Sequence, residues 1–187
     1  MKILTKEEFL FAKLAYKKDI ENNAIFIYPT DTIYGIGCDA TSDEAVQKLR
    51  NIKQMPDKPI SVIAPGKKWI RENCEIDEEW LDKLPGPYTL ILKLKNKNCV
   101  SKLINPLSET IGVRIPNHWF SACVEECGKP ICTTSANITG KAFMTNLNDL
   151  DKDIKKSVNF CIYEEEKKTK ASKIIDLTQN EITIKER

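Results

Sequence analysis

The sequence contains a single histidine and no pair of cysteines at metal-binding spacing. With one imidazole, His118, there is little material for a zinc site or a Ser/His/Asp triad. His118 follows a Pro-Asn turn near the expected start of a helix, where polar residues are usually structural, so we do not expect it to be a catalytic base. The 7 cysteines are odd in number, which is typical of reduced, mostly buried thiols. We therefore expect no metal held by protein side chains.

Long apolar runs, a signal-peptide pattern and a strong excess of charge are also missing. The longest uncharged apolar stretch covers residues 24–30, far short of the roughly 20 residues that a membrane helix requires. The net charge of +2 is too small to indicate nucleic-acid binding from composition alone. We expect a cytoplasmic protein that does not enter a membrane.

The composition is that of an ordinary globular chain, and its 187 residues suit one domain over 1–187. Thr5 and Glu8 form a capping-box pattern that predicts a helix over about 6–21, and Ser42 opens a second helix that Pro56 ends. The other predicted helices are 67–73, 78–84, 118–128 and 147–158, and the predicted strands are 24–28, 59–64, 88–95, 110–116, 130–134, 159–163, 172–178 and 181–185. This alternation predicts a three-layer α/β fold.

Four segments combine an apolar strand with adjoining small polar residues: 25–35, 51–62, 110–118 and 131–140. Taken singly, each is better explained as an Asx or Ser/Thr turn or a cap than as a binding site. Together with Lys53, Lys58 and Arg114 they suggest a crevice at the strand ends that binds phosphates, ribose or a small polar substrate. The chain has no P-loop and no G-x-G-x-x-G, so such a site is of neither Walker nor Rossmann type.

The motifs resemble those of the YrdC-like threonylcarbamoyl-AMP synthases. The matching stretches are YPTDTIYGIGCDA, LPGPYTLIL, GVRIP, TTSANITG and SKIIDLT, in the family's order from about Ala24 to Lys185. The resemblance implies a twisted, mostly mixed β-sheet flanked by helices with a concave basic cavity, a YrdC/RibB-like fold. It also implies the short, single-domain form without an extra C-terminal domain.

The resemblance also implies a reaction. L-threonine, bicarbonate and ATP, with Mg²⁺, are condensed to L-threonylcarbamoyladenylate and pyrophosphate. The adenylate is then passed to a separate tRNA threonylcarbamoyl transferase complex, which makes t6A at position 37, and weak RNA binding is a further expectation. Because this reaction brings several anions together, catalysis would depend on positioning and charge neutralisation and not on a nucleophilic side chain.

The family's functional residues carry over by motif into two groups. Those expected around L-threonine are Thr32, Arg114, Thr133 and Ser172. Those expected to face ATP are Lys53, Lys58, Thr110, Ser135, Asn137 and Lys185, the last at a position where the family usually has Arg. Lys53, Ser135 and Asn137 are also the expected catalytic group.

Besides Lys185, two positions depart from the family pattern. Met55 stands where the family has an arginine, in a motif one residue shorter, and methionine cannot donate to phosphate. One hypothesis is that Arg50, one helical turn before Lys53, reaches the phosphates instead. Ile63 falls where many members place a polar residue beside the substrate, which predicts an altered pocket.

Two alternatives stay open at this point. One is a non-catalytic relative that binds RNA or a nucleotide in the same cavity. Few aromatic residues interleave with the lysines, which disfavours single-strand binding by stacking. The other is a carbamoyl-transfer module similar to that of hydrogenase-maturation carbamoyltransferases.

Overall fold

Ten short strands form one mixed β-sheet in the computed structural model, which describes residues 1–179 and 181–186. The strands are β1 (Lys2–Leu4), β2 (Phe26–Tyr28), β3 (Gly35–Gly37), β4 (Ser61–Ile63), β5 (Tyr88–Lys93), β6 (Thr110–Arg114), β7 (Ile131–Ser135), β8 (Phe160–Ile162), β9 (Lys173–Asp176) and β10 (Thr183–Lys185). Their order across the sheet is β1-β8-β2-β3-β7-β4-β6-β5-β9-β10. The sheet combines four parallel pairs (β1 with β8, β2 with β8, β4 with β6, β5 with β9) with antiparallel ones, so the expected mixed sheet is confirmed.

Helices lie on both faces of the sheet. They are α1 (Lys6–Phe11), α2 (Lys13–Glu21), α3 (Asp43–Lys53), α4 (Lys67–Asn73), α5 (Glu78–Leu81), α6 (Phe120–Cys127) and α7 (Lys152–Ser157), with a 3-10 helix at Lys102–Ile104. Thr5 and Ser42 cap α1 and α3 through their hydroxyls, as the sequence predicts. Within the described ranges, no helix has the length and apolarity needed to cross a membrane.

The first helix differs from the prediction because it is interrupted at Ala12, whose φ and ψ are −107° and 23°. On a straight helix, residues seven apart lie about 10.5 Å apart along the axis. The break instead brings the rings of Phe9 and Tyr16 to 5.4 Å. The predicted helix over 147–158 begins only at Lys152, after the cap Asp151, and the sequence predicted neither β1 nor β3.

The two faces of the sheet are covered differently. One face carries the larger core, in which Val62, Leu90 and Val113 pack beneath apolar residues of α3, α4, α5 and α7. On the opposite face, α1, α2 and α6 cover only one half, over a second core rich in aromatic residues, including Phe26, Tyr28, Phe120 and Phe160. We call the remainder of this face the open half; small residues of β3, β4, β6 and β7 line it.

The GIG stretch is explained by the second core. Tyr28 lies across the neighbouring strand β3, and its hydroxyl donates to the carbonyl of Cys132 at 2.9 Å. A Cβ at Gly35 would come within 2.8 Å of the Tyr28 ring, and one at Gly37 would meet the Cys132 carbonyl at 1.9 Å. The two glycines therefore allow the tyrosine to cross the strand and close the edge of the second core.

Candidate functional site

A cavity of about 190 Å³ lies on the open half of the sheet. Its lining includes the polar side chains of Thr30, Ser61, Thr89, Thr133 and Ser172, together with Arg114. Gly112 pairs with Ser61, and a Cβ there would lie 2.5 Å from the Ser61 hydroxyl. The site is therefore concave because the strands present short side chains in the open half.

Arg114 ends β6 and is held in place by an acidic partner. Its Nη2 donates to Asp31 Oδ1 at 3.0 Å and to Thr32 Oγ1 at 3.1 Å, and its side chain is only 8% exposed. The second oxygen of Asp31 accepts the N–H of Asn117 at 3.0 Å. A buried guanidinium oriented in this way offers a planar fork that suits a carboxylate.

The four residues expected around L-threonine lie together in the structure. Thr133 and Ser172 line the cavity with Arg114, and Thr32 contacts the guanidinium directly. Ser172 Oγ lies 2.8 Å from the hydroxyl of Thr89, a residue that sequence reasoning missed. Their predicted role in binding threonine stays a prediction, although their proximity agrees with it.

Lys53 lies with Ser135 and Asn137, as expected, but its side chain supports the loop. The ammonium donates to Asn137 Oδ1 at 2.9 Å and to the carbonyls of Ser135 and Asn137, and Lys53 is 2% exposed. Burial lowers the pKa of Lys53 to about 8. Ser135 Oγ also donates to Asn137 Oδ1, at 2.6 Å. The ammonium is thus directed at oxygens of the 135–137 loop, and Lys53 is not among the residues that line the cavity.

The hypothesis that Arg50 reaches the phosphates is wrong for this structure. Its guanidinium donates to the carbonyls of Leu103 at 2.7 Å, Met55 at 2.8 Å and Pro56 at 2.7 Å, and Arg50 is 2% exposed. These contacts tie α3 to the 3-10 helix and to the loop that follows α3, so no N–H in them is directed at the cavity. Met55 itself packs into the larger core, which explains why an apolar side chain is accommodated there.

Like Lys53, Asn137 is not among the residues that line the cavity, and four more positions singled out from the sequence lie away from it. Thr110 begins β6, about 13 Å along the strand from Arg114, accepts from Asn105 and lines a separate cavity. Lys58 is exposed on the loop before β4, and Lys185 is exposed on β10, the last strand of the sheet. Ile63 is completely buried in the second core, and Ser61, two residues earlier, is the β4 residue that faces the cavity.

His118 faces a glutamate rather than the cavity. Its Nε2 lies 3.3 Å from Glu164 Oε2, and burial lowers the pKa of His118 despite this carboxylate. Over residues 1–179 and 181–186, no three His, Cys, Asp or Glu side chains are grouped so that they could hold a metal ion. Sequence reasoning also missed Asp31, which lies inside a quoted motif, and Glu164, which lies in the acidic run 164–166.

Comparisons with known proteins identify related sequences. The family model Sua5/YciO/YrdC, described as telomere recombination, matches residues 18–187. A protein of Methanocaldococcus jannaschii named putative threonylcarbamoyl-AMP synthase is 38% identical over 154 residues, which cover 78% of this chain and 70% of that protein.

The fold of the chain is similar to that of solved structures. P. abyssi Sua5 complexed with L-threonine superposes with a TM-score of 0.86 at 26% identity, over 98% of this chain. The chain spans only 56% of that protein's length. E. coli YciO superposes with a TM-score of 0.85 at 21% identity, over 100% of this chain and 94% of that one, a likeness that concerns the fold alone.

Proposed function

Because the chain belongs to the Sua5/YciO/YrdC family, we propose that it is a threonylcarbamoyl-AMP synthase, a nucleotidyltransferase that uses ATP. The observation that carries this proposal is the buried Arg114 guanidinium, oriented by Asp31 at a cavity of about 190 Å³ lined by short hydroxyl side chains. A cavity of this kind suits a small amino acid whose carboxylate pairs with the guanidinium.

The amino acid is bound in the open half. The Arg114 fork pairs with the threonine carboxylate, while Asp31 and Thr32 keep the plane of the guanidinium in one orientation. The hydroxyls of Thr133 and Ser172 lie on the same cavity wall and hydrogen-bond the polar groups of the substrate.

The nucleotide lies against the 135–137 loop. Ser135 Oγ and the Asn137 amide are the polar groups of this loop, and the ammonium of Lys53 beneath them holds their backbone in place. ATP would be bound as its Mg²⁺ complex, and the ion would supply positive charge that offsets the charge of the phosphates.

The chemistry needs positioning rather than a nucleophilic side chain. The threonine nitrogen attacks the carbon of bicarbonate, water leaves, and the resulting carbamate oxygen attacks the α-phosphorus as pyrophosphate departs. Several anions must approach one another, so the cation of Arg114 and the donors of the 135–137 loop lower the barrier by neutralising charge and aligning the reactants.

The product is a reactive mixed anhydride. It needs a consumer close at hand, and we propose a tRNA threonylcarbamoyl transferase complex in the cytoplasm, with weak RNA binding as an aid to the transfer. Bicarbonate as the one-carbon source belongs to the same proposal.

The test is pyrophosphate release from ATP with each substrate omitted in turn and with L-serine in place of L-threonine. We expect release that requires both threonine and bicarbonate. Arg114→Lys keeps the charge but loses the fork, so kcat/KM for threonine should fall roughly 10- to 100-fold. The control Arg71→Lys changes an exposed arginine paired with Glu78 and should alter kcat/KM less than about twofold.

Other outcomes would favour other functions. Release that does not need threonine would contradict the proposal. No release, with ATP or RNA still bound, would indicate a non-catalytic relative, and turnover of carbamoyl phosphate would indicate a carbamoyl-transfer module.

A further inference from the structure

The segment that joins β8 to β9 crosses the sheet over the candidate site. We call residues 163–172 the strap. The strand β8 is second and β9 ninth in the sheet, so the strap spans seven strand spacings, which amount to about 34 Å along a flat sheet. The eleven steps from Ile162 to Lys173 reach about 36–40 Å when extended, so the strap crosses with little slack.

The strap contacts the cavity along its length. The Tyr163 ring stacks on Tyr34, a cavity-lining residue, with centroids 5.7 Å apart and planes at 12°. Further along, the hydroxyl of Thr169 donates to the carbonyl of Thr32. The strap ends at Ala171 and Ser172, which form part of the cavity wall. The position of this wall therefore depends on where the strap is held.

The Glu164 carboxylate helps to hold the start of the strap, beside the Tyr34 hydroxyl, which accepts the Glu164 N–H at 3.1 Å. Glu164 Oε1 accepts the indole N–H of Trp119, and Oε2 accepts from Lys167 at 3.3 Å and faces His118 at 3.3 Å. Burial alone would raise the pKa of Glu164, but the Trp119 N–H, His118 and Lys167 together hold that pKa below its usual value. Glu164 is therefore an ionised anchor with partners in two segments of the chain.

The anchor is linked to the substrate arginine. Trp119 and His118 lie on the 116–119 segment, two residues after the end of β6. Asn117 in the same segment donates its N–H to Asp31, and Asp31 pairs with Arg114. The carboxylate thus joins the strap to the segment that helps to orient the guanidinium.

We propose that Glu164 is a positioning residue for the amino-acid pocket: it holds the strap against the 116–119 segment and so places Ala171 and Ser172 in the pocket wall. The inference rests on the proposed function for the identity of the amino acid. Glu164 itself is not among the cavity-lining residues, so it acts through the strap and does not touch substrate.

The test compares Glu164→Gln with Glu166→Gln, which removes the same charge from the same strap. Glu166 is exposed and pairs with the surface residue Lys168 at 3.0 Å. For Glu164→Gln we expect KM for L-threonine to rise about 5- to 50-fold, with KM for ATP nearly unchanged. Glu166→Gln should leave both KM values within about twofold.

A second measurement, the rate of trypsin cleavage at Lys168 and Lys170, does not depend on turnover. Both lysines lie in the strap and are exposed. Cleavage should be faster in Glu164→Gln than in the unmodified chain or in Glu166→Gln, and L-threonine should slow it in the unmodified chain. If Glu164→Gln proves too unstable, Trp119→Phe removes the indole N–H that donates to Glu164. This variant should raise the KM for L-threonine and the cleavage rate by smaller factors.

Either of two results would overturn the proposal. One is a folded Glu164→Gln protein with unchanged threonine KM, whether or not cleavage is faster. The other is an equal change in the KM for L-threonine and in the cleavage rate for the Glu164 and Glu166 variants. If the unmodified chain does not bind L-threonine, that result counts against the proposed function. The comparison of cleavage rates among the variants still tests whether Glu164 anchors the strap, because it needs no threonine.

Discussion

On the sheet face that carries the second core, a single strand contributes residues both to the covered half and to the open half. On β4, Ile63 is 0% exposed in the second core, whereas Ser61, two residues earlier on the same face, lines the cavity. On β7, Ile131 belongs to the same core and Thr133 to the cavity. The strands that build the hydrophobic core therefore also present the site, and the boundary is set by how far α1, α2 and α6 extend over the face. A substitution on one side of this boundary should affect stability, and one on the other side should affect binding.

The largest expected effect is on the covered side. Ile63→Ala should lower the free energy of unfolding by about 2–5 kcal/mol, because it leaves a cavity in a packed core. Ser61→Ala should lower it by less than about 1 kcal/mol. Urea unfolding measures both values. Similar losses for the two variants would mean that the face is not divided as described.

The second prediction tests whether the buried ammonium of Lys53 supports the 135–137 loop. Lys53→Met leaves the oxygens of Ser135 and Asn137 without their buried donor, so the free energy of unfolding should fall by about 1–3 kcal/mol. The KM for ATP should also rise, because the 135–137 loop loses its support. Lys48→Met, on the exposed side of the same helix, should cost less than about 0.5 kcal/mol. Equal effects of the two lysine variants would contradict the supporting role of Lys53.

Thr133 tests the open half itself. Thr133→Val should raise KM for L-threonine about tenfold, which corresponds to about 1.4 kcal/mol, and should change the free energy of unfolding less. Thr41→Val removes a hydroxyl that donates to Asp39 outside the cavity, so it should lower stability and leave KM unchanged. Equal changes in the KM for L-threonine and in the free energy of unfolding for the two variants would contradict this prediction.

The smallest expected effect concerns pH. Burial lowers the pKa of His118 in the folded chain, so below about pH 6.5 the unfolded chain binds a proton that the folded chain does not. Stability should therefore decline as pH falls from 7.5 to 5.5. His118→Gln should show a shallower decline in thermal unfolding over the same range. An identical slope in both proteins would mean that His118 does not contribute.

Most helices and strands were predictable because local signals mark them, whereas the grouping of Thr32, Arg114, Thr133 and Ser172 was expected from the resemblance of the motifs. The capping residues Thr5 and Ser42 mark helix starts, and the motif residues at strand ends, such as Thr32 and Arg114, converge because β-strands bring their loops to a common site. Three-residue strands such as β1 and β3 are too short for an alternating pattern to show.

Side-chain direction could not be predicted from sequence. Lys53 and Arg50 both sit near the end of α3 with cations of similar reach, and the backbone oxygens near each one decide where it points. Glu164 lies in an acidic run whose partners are distant in sequence. These are tertiary features without a local signal.

A crystal structure of the chain with L-threonine and a non-hydrolysable ATP analogue tests the central claim most directly. We predict the threonine carboxylate within hydrogen-bond distance of the Arg114 guanidinium, the amino acid above Gly112, and the nucleotide against the 135–137 loop. Ligand density in the separate cavity that Lys67, Asn117 and His118 line, with the open half empty, would contradict the account.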